Sequence, residues 1–196
     1  MEYIKKPISA ILRSGRTVFT FKDISLIWRN TDKKAVIAGI NYYVSTGQLY
    51  RIRRGIYAKD KNYDKTELAC RIYTPSYVSF ETVLTRAGIN FQYYGQIFIA
   101  SYLAREIIVD GQVYNFRKIK NNLLTDSAGV LNRDGIAVAT PERAFLDTLY
   151  LNTDYHFDNL APLIWDKIFE MLPLYDNKRM TRKVQEFFDA NKEDSR

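Results

Sequence analysis

The 196 residues predict an α+β chain in two modules, with three helices and a hairpin over residues 1–61 and a mixed α+β domain over 62–196. Three observations carry this. Apolar residues recur at helical spacing through the first 47 positions, between recognisable caps, and then give way to a short alternating run. Charge divides unevenly: residues 1–61 hold 13 Lys/Arg against 4 Asp/Glu, a net +9, whereas 62–196 hold 16 against 18, a net −2. Beyond the polar stretch AKDKNYDK at 58–65, read as a linker, strand-like runs come first and long helical runs gather toward the C-terminus.

The first helix is expected within IKKPISAIL. Ile4, Ile8, Ile11 and Leu12 form its face, Pro7 suits a first turn near Lys6, and Gly15 ends it. TVF is a short extended run. Thr20 caps the second helix, with Asp23 in the place of the usual Glu or Gln of a capping box, and Ile24, Ile27 and Trp28 facing inward. Thr31 or Asp32 caps the third, which runs to about Ser45 and stops at Gly47. Val36, Ile37, Ile40, Tyr43 and Val44 make its apolar face, so Lys34, Ala38, Asn41, Tyr42 and Ser45 point the other way, with Lys33 at its start.

QLYRIRRGIYA follows. A three-residue RRG loop with a left-handed Gly55 would pair Ile52 with Ile56 and Tyr50 with Ala58. Arg51 then faces outward, and Arg53 and Arg54 ride on the tip. Helix, short strand, helix, turn, helix and hairpin make a winged helix-turn-helix. The third helix would enter the major groove, where Lys34 contacts phosphate or guanine, Asn41 reads adenine and Ala38 permits close approach. The cationic tip would reach phosphates or the minor groove. A three-helix bundle with no DNA role and an RNA-binding hairpin are the competing readings.

In the second module, KTELACRIY reads as a helix and TPSYVSF as a break with a short extended piece. Ser79 is expected to cap a short helix closed by Gly88. GQIFIAS and GIAVA read as strands, and REIIVDGQVYNFRKI as a hairpin turning at Asp110-Gly111. TPERAFLDTLYL has Thr140 as its cap, Pro141 at the first helical position and Glu142 in the first turn, with Ala144, Phe145, Leu146, Leu149 and Tyr150 inward. NLAPLIWDKIFEML and NKRMTRKVQEFFDA are further helices, separated by Pro173, and the closing ANKEDSR is expected to fray.

The composition limits the chemistry. The single cysteine, Cys70, excludes an intramolecular disulfide and a cysteine-rich zinc site. No stretch has the apolar length of a signal peptide or membrane span, so a soluble, cytoplasmic protein with no membrane partner is expected. His156, the only histidine, is read as structural. There is no phosphate-cradling glycine loop and no nucleophile elbow. Asp32-Lys33-Lys34 and Asp176-Asn177-Lys178 have a nuclease-like spacing but lie at a helix start and in a loop. Glu142 and Asp147 are read as capping and helix-surface residues. No cofactor, metal or catalytic residue is assigned, and the chain is read as a non-enzyme.

Three blocks resemble the AbiEi-type antitoxins, the antitoxin half of type IV abortive-infection toxin–antitoxin systems. The first is the hairpin carrying Leu49, Arg51, Arg54, Gly55, Ile56 and Tyr57; the second holds Tyr77, Ser79, Leu84 and Gly88; the third holds Thr140, Pro141, Glu142, Arg143, Ala144, Leu146, Asp147 and Tyr150. They occur in the family's order across residues 48–151, although Phe80-Glu81-Thr82-Val83 stands where members often carry small residues, and nothing after 152 matches. The resemblance implies a bacterial autoregulator that binds double-stranded DNA at its own promoter. Its second module would counter a nucleotidyltransferase-type toxin without needing a stable complex. A nucleic-acid-processing enzyme with a winged-helix arm, and a plain transcription factor with a ligand-sensing or dimerising second domain, are the alternatives.

Overall fold

In the computed structural model, residues 8–133 and 135–194 are described; Ile4, Lys6 and Pro7 of the expected first helix lie outside them. The chain is mixed α+β and divides into two compact units, the boundary in the sequence falling between Ile72 and Tyr73.

The first unit runs α1 (Ile8–Leu12), β1 (Val18–Thr20), α2 (Phe21–Ile27), α3 (Lys33–Ser45), β2 (Tyr50–Arg53), β3 (Ile56–Ala58) and α4 (Lys65–Ile72). Its caps are local chemistry read correctly. The Thr20 hydroxyl accepts from the Asp23 amide at 3.2 Å, and the Asp23 carboxylate accepts from the Thr20 amide at 2.8 Å. The reciprocal pair satisfies two amides that α2 leaves open, and a cap of this kind stabilises by about 1 kcal/mol. Asp32 accepts from the Lys34 amide at 2.9 Å and the Ala35 amide at 3.3 Å, and the chain turns out of α3 through Gly47 at φ 71°. Ile11, Phe19, Ile24, Trp28, Val36, Ile40, Leu49 and Tyr57 form the core of this unit.

The strands pair antiparallel in the order β1-β3-β2. Tyr50 lies opposite Ala58 as expected, but Arg53, not Ile52, lies opposite Ile56. The register shifts between Arg51 and Arg53, so the loop shortens to Arg54-Gly55 and one residue of β2 is left over as a bulge. Gly55 takes the left-handed conformation the turn requires, φ 79°.

The stretch 58–65 is not a free linker. Ala58 ends β3, Tyr63 is buried and stacks on Tyr50 at 6.3 Å, and Asp64 accepts from the Thr66 and Glu67 amides at the start of α4. Buried Glu67 then ties α4 to β1. One of its oxygens accepts from the Thr17 amide and hydroxyl, both at 2.8 Å, and from the Val18 amide at 3.2 Å. Residues 62–72 therefore pack with the first unit, because three donors of the β1 edge need this carboxylate.

The second unit contains β4 (Ser76–Val78), α5 (Glu81–Arg86), β5 (Gln96–Ser101), β6 (Arg105–Val109), β7 (Gln112–Lys118), α6 (Asn121–Thr125), β8 (Val130–Arg133), β9 (Ile136–Ala139), α7 (Pro141–Leu151), α8 (Trp165–Met171), a 3₁₀ turn (Leu172–Tyr175) and α9 (Lys178–Asp194). Six strands form one mixed sheet in the order β6-β7-β5-β4-β9-β8. The pairs β5/β7 and β4/β9 are parallel, the others antiparallel. Asp110 and Gly111 both have positive φ, 46° and 75°, matching the two-residue turn expected there. Neither α6 nor β8 was expected. Helix α8 begins only at Trp165, after Pro162, and α9 continues through most of the expected frayed tail.

Helix α7 differs most from its expected amphipathic form. Residues 142–149 are all buried, Glu142, Arg143, Asp147 and Thr148 among them, and Tyr150 is only half-buried. Neighbours on several sides, α5, α8 and β9, remove its polar face from water. The surface roles expected for Glu142 and Asp147 are thereby overturned. No helix among the described residues is long and apolar enough to cross a membrane.

Candidate nucleic-acid interface and the buried motif network

Helix α3 presents Lys33, Lys34, Ala38, Asn41, Tyr42 and Ser45 to solvent, as its periodicity requires. Ile37, expected inside, is 40% exposed. It sits at the edge of the apolar stripe on the Asn41 side, and that edge faces the hairpin across a groove. Phe21, Ile37 and Tyr57 supply the groove's apolar wall; Lys33, Asn41, Arg51 and Arg54 supply its polar rim. The hairpin tip is fixed to the helices, since the Gly55 carbonyl accepts from the Phe21 amide at 3.0 Å.

One contact was not legible in the sequence. The Arg51 guanidinium donates to Asn41 Oδ1 at 2.6 Å and lies 5.7 Å from the centre of the Tyr57 ring. Asn41 keeps its amide N–H donors and a second lone pair, so it retains the groups an adenine edge requires. Tyr57 is buried beneath this pair. Arg53 and Arg54 are exposed at the tip, and among the described residues neither has an acidic partner. The Ser45 hydroxyl turns back to the Tyr42 carbonyl at 2.8 Å. Asp32 is occupied as the α3 cap.

The other motif residues meet in the second unit. Asp147 is fully buried and each of its oxygens accepts twice: Oδ1 from Arg143 Nε at 3.2 Å and the Tyr175 hydroxyl at 2.7 Å, and Oδ2 from the Tyr77 hydroxyl at 2.9 Å and the Ser79 hydroxyl at 2.8 Å. Arg143, also fully buried, spends three more donors on the Ala128 carbonyl at 2.7 Å, the Leu123 carbonyl at 2.6 Å and the Tyr77 oxygen at 3.0 Å. Ser79 is thus no helix cap. Phe80 takes the cap position of α5 at φ 54°, without a side-chain bond. Thr140 does cap α7, accepting from the Arg143 amide at 3.3 Å, and Pro141 follows in the first turn. Glu142 accepts from the Ile164 amide at 3.4 Å, before α8.

Burial raises the Tyr77 and Tyr175 hydroxyl pKa values well above the usual phenol range, and the adjacent Asp147 charge adds to the rise. Both remain neutral donors to that carboxylate. With every Asp147 oxygen engaged and no exposure, the network orders the core and offers no group to a substrate. Four of its five members stand in the blocks that carry the resemblance, Ser79 and Asp147 with other expected roles; Tyr175, in an unpatterned turn after Pro173, carried no signal.

Among the described residues, no three His, Cys, Asp or Glu side chains converge as a metal site would require. His156 is exposed. No family model matches this chain, and no curated protein matches it.

Proposed function

We propose that the first unit is a winged helix-turn-helix that binds double-stranded DNA, with α3 in the major groove and the β2–β3 hairpin as the wing. The observation that carries this reading is the groove that brings Lys33 and Asn41 of α3 together with Arg51 and Arg54 of the hairpin, with their sequence neighbours Lys34 and Arg53 also exposed. Such an array suits a duplex: cations neutralise phosphates, and Asn41 and Arg51 bring donors in fixed geometry to a base edge. Small Ala38 leaves room for the helix to sit deep.

On the residue blocks it shares with AbiEi-type antitoxins, the chain acts in the bacterial cytoplasm as a non-enzymatic autoregulator. It binds the promoter of its own operon and counters a nucleotidyltransferase-type toxin through the second unit. The convergence of Tyr77, Ser79, Arg143 and Asp147 in one network supports the resemblance, since residues drawn from two of its blocks depend on each other. The test is fluorescence anisotropy of the full chain on the duplex upstream of its gene, beside a scrambled duplex of equal length. Preference for the upstream duplex is expected; equal binding to both contradicts the repressor reading. Rescue of growth on co-expression with a neighbouring nucleotidyltransferase tests the antitoxin role.

A further inference from the structure

The second unit carries a net charge of −2 over residues 73–196, with 14 Lys/Arg against 16 Asp/Glu. Four of those cations nevertheless gather around one cleft of 720 Å³, where Asp176 is the one acid among the described lining residues. Lys118 ends β7, Lys120 stands at the cap of α6, and Lys178 and Arg179 open α9. Among the described residues, Lys118, Lys120 and Lys178 have no ion-pair partner, whereas Arg117, next in sequence, is held by Glu81 at 2.8 Å. Arg179 pairs with Asp154 at 2.9 Å, but both are more than two-thirds exposed, so that pair yields readily to a stronger anion.

An aromatic wall completes the cleft. Tyr150, on α7, is half-buried and its ring rests on that of Tyr175, 5.6 Å away, while Lys120 Nζ lies 5.9 Å from the Tyr150 centroid. Tyr175 is itself fixed by its bond to Asp147. A held ring beside unpaired ammonium groups offers a planar base a stacking surface and its phosphates a positive field. The volume lies within the range of small-molecule sites.

We propose that this cleft binds a nucleotide, with its phosphates on Lys118, Lys120 and Lys178 and its base against Tyr150. The ligand is a free nucleotide or the 5′-phosphorylated end of a strand, which share this chemistry. The proposal stands apart from DNA binding by the first unit.

The experiment is calorimetric titration of the full chain with ATP, inorganic tripolyphosphate and a 5′-phosphorylated trinucleotide, at low ionic strength. Saturable binding is expected. The Lys118→Ala/Lys178→Ala variant, altered only at exposed positions, weakens it about tenfold or more. Tyr150→Leu weakens ATP but not tripolyphosphate. Arg53→Ala/Arg54→Ala leaves ATP binding unchanged, which separates this site from the hairpin. Tighter binding of ATP than of the trinucleotide assigns the free nucleotide, and the reverse assigns the strand end. Absence of saturable binding by ATP and trinucleotide alike, or affinities that ignore the Lys118/Lys178 change, overturns the proposal.

Discussion

Replacing Arg143 by Met keeps the length of a buried side chain and deletes its charge. The structure sets the consequence. Asp147 loses its one cationic partner among the described residues, at 3.2 Å, and the Ala128 and Leu123 carbonyls lose donors at 2.7 and 2.6 Å. Three hydroxyls still reach the carboxylate, so its charge stays inside without a counter-charge. Breaking a buried pair from one side costs about 3–5 kcal/mol. Against a total of about 5–15 kcal/mol for a domain, that is at least about a fifth of the stability and can be all of it. The assay is urea unfolding followed at Trp165, which packs on Phe145 and Phe188 in the second unit, in a Trp28→Phe background that silences the first. The midpoint should fall with little change in slope. Arg143→Met combined with Asp147→Leu should cost less than the two changes summed, because the second removes the stranded charge. A loss below about 1 kcal/mol for Arg143→Met, or simple additivity, would refute the reasoning.

Further predictions concern neighbouring features. Tyr77 and Tyr175 titrate higher folded than unfolded, so their contribution is intact below pH 10 and declines above it, by about 1.4 kcal/mol per pH unit for each; stability curves from pH 8 to 11 should show the fall, and Tyr175→Phe should flatten it. Gly129→Ala should destabilise the second unit by about 1–3 kcal/mol in the same urea assay, since its φ is 68° and a Cβ would lie 2.5 Å from Met171 Sδ and 2.8 Å from Arg143 Cβ. Asn41→Ala should reduce preference for the upstream duplex by about 1–3 kcal/mol while sparing non-specific affinity, and should be non-additive with Arg51→Ala because the two side chains are bonded. An equal loss on every sequence would show that Asn41 is no base reader.

What was legible in the sequence followed from local rules. The Thr20, Asp32 and Thr140 caps, the Asp110-Gly111 turn and the outward face of α3 each depend on residues a few positions apart, where the chain cannot avoid them. What was missed depends on partners far along the chain. Ser79 has the chemistry of a cap, but it gives its hydroxyl to Asp147, 68 residues away. Glu67 lies within the helix expected at KTELACRIY, but its partners Thr17 and Val18 stand some 50 residues earlier, and their bonds to it hold α4 in the first unit, which extends to Ile72. The polar residues of α7 read as a solvent face because periodicity cannot count the elements that surround a helix. The hairpin was right in its faces and wrong by one residue in its register, since a bulge moves the pairing and leaves the outward side chains outward.

The measurement that bears most directly on DNA binding through the hairpin is a salt series of full-chain anisotropy on the upstream duplex, for the wild type and for Arg53→Ala/Arg54→Ala. If both arginines lie on phosphates, the variant binds more weakly and its slope of log K against log salt shrinks by about one to two. Unchanged affinity and an unchanged slope would contradict the wing and leave the basic face of the first unit without the duplex proposed for it.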